Sequence, residues 1–158
     1  DTLAPAGEIE GIGGNGAAVD PKSGHGFTSS KPVSMFDTKT MKAIKTIDVG
    51  DIQPDGITFD PFNQRIYVFS HPTKDATVID SKDGTVLGRI DLGGVPEQGV
   101  PAGKGIRHVV LQAPQGGVTA GEHVASWGDG QWRRRAFHGT SIHPLTSGNR
   151  PASSPSGR

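Results

Sequence analysis

The chain has 158 residues, with 16 Lys plus Arg balanced by 16 Asp plus Glu, and no cysteine. Disulfides, thiolate metal sites and a cysteine nucleophile are therefore excluded. Apolar residues make up 32%, punctuated by 24 Gly and 12 Pro, a balance that suits short strands joined by tight turns and leaves no helical apolar stripe of useful length.

No apolar run reaches the ~18 residues of a membrane-spanning helix, so no membrane span is expected. The chain begins at Asp1 with no Met and no signal-peptide pattern, and it is expected to be a processed product or a piece of something longer. The neutral total hides an asymmetry. Residues 1–105 hold eight Lys, two Arg and fourteen acids, whereas residues 106–158 hold six Arg, no Lys and two acids. Two compositions meet near residue 105.

In chain order, strands are expected near 16–20, 25–29, 33–37 and 42–48, then near 56–60, 65–69, 76–80 and 85–91. The second set repeats the first. Asn15–Pro21 lies over Asp55–Pro61 at an offset of 40, and Met35–Thr40 lies over Val78–Asp83 at an offset of 43. The difference of three residues is a loop-length change between Ser29 and Val33. A third copy begins at Pro96-Glu97-Gln98-Gly99-Val100 and then fades. Asp60-Pro61-Phe62-Asn63 and Asp80-Ser81-Lys82-Asp83-Gly84 are turn sequences: Asp caps the turn, Pro presets φ, and Asn or Gly accepts a positive φ.

Four short strands per ~40–45 residues is the signature of a propeller blade. The expected fold is all-β: a partial β-propeller of about two and a half four-stranded blades over residues 1–105. The first strand of each blade should line a central channel and the fourth should form the outer edge. Phe59, Tyr67, Val68, Val78 and Ile79 are expected to pack between blades.

Residues 106–158 are expected to form a basic, irregular tail rich in Pro, Ser, Gly and Arg. Ile106–Leu111 has strand propensity, and no strand motif recurs after it. The tail has two readings. One is an out-of-frame translation of a GC-rich gene, suggested by the joint loss of the repeat and of Lys. The other is a genuine basic tail, in which Arg133–Arg135 with Trp127 and Trp132 touch phosphates and stack on bases. Three Arg in a row fit a solvated charge run at least as well, so nucleic acid is not an expected partner.

The order of Asp55-Gly56-Ile57, Phe59-Asp60-Pro61, Arg65-Ile66-Tyr67-Val68-Phe69 and Val78-Ile79-Asp80 through Ile90 and Leu92-Gly93 resembles the YVTN-repeat (YncE-like) β-propellers over about residues 8–105. Arg65–Phe69 stands where that family has its Tyr-Val-Thr-Asn strand, with Phe69-Ser70 departing from Thr-Asn. The resemblance implies a periplasmic or secreted location and leaves activity open, since few members have a known one.

Asn15, Asp55 and Glu97 are one position seen in three successive copies, each just before the innermost strand of its blade. Oxygen donors at symmetric positions suit a polar ligand or a hard divalent cation such as calcium. Calcium-dependent lactonase propellers place Glu, Asn and Asp near their channel mouths, an analogy at the level of fold. The plainer reading is that such residues cap loops.

His71, between the second and third strands of its blade and on the same face, joins them as a candidate ligand or general base. His25 opens a strand and is less well placed. His138 and His143 lack a defined scaffold. The Gly11–Gly16 stretch has G-x-G-x-x-G spacing but neither follows a clear strand nor opens a helix, which excludes dinucleotide binding. The expected function is a non-catalytic binding or scaffold module of an exported protein, its ligand a small molecule or a protein. The alternative is a metal-dependent hydrolase of lactonase or esterase type. Blades that do not close a ring leave sheet faces open to self-association.

Overall fold

The structure, a computed structural model, describes residues 4–5, 7–101, 106–112, 118–122, 126–128 and 131–133, the last four stretches as strand backbone. His138, His143, Arg134 and Arg135 lie outside the described residues. β1 (Ala17–Asp20), β2 (His25–Thr28), β3 (Val33–Asp37) and β4 (Lys42–Ile47) form one antiparallel sheet in that order. β5 (Pro54–Asp60), β6 (Arg65–Ser70), β7 (Asp75–Asp80) and β8 (Val86–Asp91) form a second. β9 (Pro96–Pro101), β10 (Ile106–Gln112) and β11 (Val118–Glu122) form a third, and β12 (Ser126–Gly128) pairs with β13 (Gln131–Arg133).

The turns hold the register. Asp20, Asp37, Asp60 and Asp80 each end a strand, and each accepts the backbone N–H two residues on at 2.9 Å. This is the Asx-turn that competes with ladder pairing and ends the strand. All four turns close through a left-handed residue, Gly24 at φ 75°, Met41 at φ 53°, Gln64 at φ 57° and Gly84 at φ 72°, whose N–H groups bond back to Asp20 O, Asp37 O, Asp60 O and Asp80 O. Glycine meets that conformation without steric cost, whereas Gln64 is held in it by the repeat around it.

Alternation along β6 explains why the blades stack. Ile66, Tyr67, Val68 and Phe69 are all fully buried. Ile66 and Val68 join Ile57 and Ile79 in a cluster with Phe27, Val33, Met35 and Ile47 of the first sheet. Tyr67 and Phe69 point the other way, into a cluster with Val78, Ile90 and Leu92. A strand apolar on both faces needs a layer on each side. Phe59, Val68 and Ile79 thus sit at the first interface, and Tyr67 and Val78 on the opposite face, as the sequence requires. β5 lies beside both β1 and β9, so the first strand of each unit is next to its neighbours, as the inner strands of a propeller are.

One difference from the sequence expectation matters. β5 starts at Pro54 rather than residue 56, since proline is tolerated as the first residue of a strand. Beyond Leu111, β10 pairs with β11, and β12 with β13, short pairings that the sequence repeat does not mark. The free edge of β10 offers a row of main-chain donors and acceptors, and ladder pairing does not require the blade's side-chain repeat.

Candidate functional site

Antiparallel alternation puts the starts of β1, β5 and β9 and the β6–β7 turn at one end of the blades, and turns 21–24, 61–64 and 81–85 at the other. Three of the four candidate residues meet at the first end. Asp55 lies in an irregularity of the β5–β6 ladder: Pro54 pairs with Ser70 and Ile57 with Val68, with a register shift between them. Such a bulge re-aims side chains at the rim of a sheet. Gly56, beside it, has no room for a Cβ, which would overlap the carbonyl oxygen of Glu97. The backbone of β9 thereby comes up against β5, and Glu97, the second residue of β9, is delivered next to Asp55.

His71 follows the last residue of β6 in a turn closed by Lys74 N–H donating to His71 O at 3.3 Å, with Lys74 at φ 54°. Hydroxyl bonds brace this turn: Thr73 Oγ1 lies 2.8 Å from Ser70 Oγ and 2.7 Å from Asp75 Oδ1. Ser70 Oγ also accepts Gln53 N–H at 3.3 Å.

His71 Nε2 stands 3.0 Å from Asp55 Oδ2 and 3.5 Å from Glu97 Oε2. Despite these distances it makes no hydrogen bond, because neither oxygen is aligned with the ring N–H direction. An imidazole with its proton on Nδ1 keeps a lone pair on Nε2. One donor atom from each of Asp55, His71 and Glu97 lies within 4.8 Å of the others. The side chains are 38–39% exposed, while His71 Nε2 itself is shielded from solvent. Two blades contribute: Asp55 and His71 from the second, Glu97 from the third.

Asn15 plays a different part from its two equivalents. Its Nδ2 donates to Pro54 O at 3.2 Å, joining the first blade to the backbone beside Asp55. His25 is at the far end, its Nδ1 3.2 Å from Ser81 O.

That far end holds contacts the sequence did not disclose. Ser81 Oγ lies 2.7 Å from Asp20 Oδ2 across the interface between the first two blades. Arg65 pairs with Asp80 at 2.6 Å. These residues border a cavity of about 470 Å³ that also reaches Ser23 and Asn63. Burial opposes ionisation of Asp20, but hydrogen bonds from Ser81, Ser23 and the Lys22 and Ser23 amides outweigh it and hold its carboxyl below the usual range. The signal available in sequence was the equivalence of Ser81 with Thr38 and of Asp20 with Asp60.

No family model matches the chain, and no curated protein matches it. Among solved structures it is similar to hydrazine synthase from Kuenenia stuttgartiensis, at 24% identity and a TM-score of 0.58, over 77% of this chain and 36% of that one. It is also similar to the Cps50 (Swd1) β-propeller domain of Myceliophteria thermophila, at 8% identity and a TM-score of 0.55, over 87% of this chain and 42% of that one. The chain thus spans less than half the length of either. At these identities the likeness establishes the fold, and the fold is a β-propeller.

Proposed function

We propose that this chain is a binding module of a propeller, that its ligand centre is Asp55, His71 and Glu97, and that the ligand held there is a divalent metal ion. The supporting observation is the convergence of an imidazole nitrogen and two carboxylate oxygens, from two blades, within 4.8 Å. Two carboxylates and a neutral imidazole match the charge of a dication. Calcium takes ~6–8 oxygen ligands, whereas imidazole suits zinc and other transition metals and carboxylates suit manganese. His71 therefore moves the expected ion from calcium toward the zinc and manganese class. Asn15, with its amide donating to Pro54 O, braces the site and is not one of the proposed ligands.

The resemblance to YVTN-type propellers supports an exported scaffold as the setting. A second reading, metal-dependent hydrolysis of an ester or lactone, draws on the ligand number: three protein ligands, with a further position left for water or substrate, is the pattern of catalytic rather than structural zinc sites. Calorimetric titration with zinc, manganese and calcium tests the proposal. One site per chain is expected, with zinc or manganese bound more tightly than calcium, and binding lost in His71→Ala and Glu97→Gln. No saturable binding by the wild-type chain overturns it. Metal-dependent turnover of a lactone or aryl ester would decide for the hydrolase; binding without turnover decides for the scaffold.

A further inference from the structure

The two interfaces between blades are built differently. At the first, the polar contacts among the described residues pair donors with acceptors. Asn15 donates to Pro54 O at one end. At the other, buried Asp20 takes Ser81 Oγ at 2.7 Å, while His25 Nδ1 meets Ser81 O at 3.2 Å. Between these ends lies a continuous apolar cluster drawn from both sheets.

At the second interface the same positions are occupied by less favourable pairs. Asp60 is the equivalent of Asp20: it ends the innermost strand and accepts the amide two residues on at 2.9 Å, as Asp20 does. It is fully buried, and its Oδ2 has no hydrogen-bond partner among the described residues. Among the described residues, none takes at Asp60 the part that Ser81 takes at Asp20. At the near end, where the first interface sets Asn15 against a carbonyl, the second sets Asp55 and Glu97 around one imidazole nitrogen. Like charges at that separation repel. Among the described residues, hydrogen bonds join the two at Thr58 Oγ1 to Gly99 O, 3.0 Å, and Gln98 Nε2 to Thr58 Oγ1, 2.9 Å.

We infer that a divalent ion at Asp55, His71 and Glu97 is the clamp that closes the interface between the second and third blades, so that metal binding regulates whether the third blade stays docked. This rests on the cation reading above. Glu97 is the sole ligand from the third blade, so filling the site ties β9 to β5 and removes the repulsion that otherwise pushes them apart. A ligand that binds only the docked arrangement stabilises it by mass action. The first interface, complete in itself, is indifferent to metal.

Backbone hydrogen exchange of the full chain, with zinc and with chelator, tests this. The expected result is that zinc slows exchange in β5 and β9 on the order of tenfold or more and leaves β1 to β4 unchanged. Glu97→Gln should abolish the zinc effect. The double variant Asp55→Asn, Glu97→Gln, freed of the repulsion, should exchange slowly at β9 with or without zinc. Ser81→Ala should speed exchange at the first interface equally in both conditions. Saturating zinc binding by calorimetry with unchanged exchange at β9 overturns the clamp and leaves the cation site standing. Absence of zinc binding overturns both.

Discussion

Asp20 and Asp60 hold the same place in successive blades, but Asp20 has a hydroxyl from the next blade on its second carboxylate oxygen and Asp60 has none among the described residues. Replacing Ser81 with Ala takes the inter-blade hydroxyl from buried Asp20 and leaves it the Ser23 hydroxyl and the Lys22 and Ser23 amides as donors. The expected cost at neutral pH is about 1–3 kcal/mol, measured by urea unfolding. Because the folded-state pKa of Asp20 is lowered, its contribution is present above the ordinary carboxylate range and is lost as pH falls through the folded value. The Ser81→Ala penalty should therefore shrink in acid.

Tyr67 is the one tyrosine of the chain, so its ionisation can be followed in the ultraviolet without ambiguity. Burial pushes its pKa up to about 12, with the Asn63 amide pulling it down, the Asp60 charge raising it and Arg65 lowering it. The neutral phenol is favoured by folding. The stability this contributes is whole below pH ~10, where the unfolded phenol begins to ionise, and is lost as pH rises toward the folded value. Phenolate absorbance should appear near pH 12 in the native chain and near the model-peptide value in strong urea.

Gly56→Ala should weaken the second interface selectively. The added methyl overlaps the carbonyl of Glu97, whereas a methyl at Gly13 meets nothing within 4 Å. A destabilisation of about 1–3 kcal/mol is expected for the first substitution, with reduced metal affinity, and none of note for the second. Unfolding curves and metal titrations of the two variants together check this.

Phe69→Ala removes a fully buried ring from the cluster on the third-blade side. A loss of about 3–5 kcal/mol is expected, read from denaturant midpoints.

The repeat in Asn15–Pro21 and Asp55–Pro61 disclosed the blades, because inner-strand alternation and the Asp-ended turns leave a mark on side-chain order. Strand ends in the first two blades shifted by no more than a residue or two. β11 was not legible, since Val118–Glu122 pairs by main chain without the blade's residue pattern. Equivalence also located Asp55, Glu97 and His71 at one end of the fold, while their approach depends on the bulge at Asp55 and the lack of a side chain at Gly56. Sequence symmetry could not tell which of three equivalent residues share space. Asn15 meets a carbonyl instead. The Asp20–Ser81 contact spans 61 residues, and nothing local to either residue announces it.

The central claim is that Asp55, His71 and Glu97 hold one metal ion. Crystals grown with zinc and measured at the zinc absorption edge test it most directly. The account predicts a single anomalous peak about 2 Å from His71 Nε2 and from a carboxylate oxygen of both Asp55 and Glu97. A peak elsewhere, or none with these side chains ordered, contradicts it.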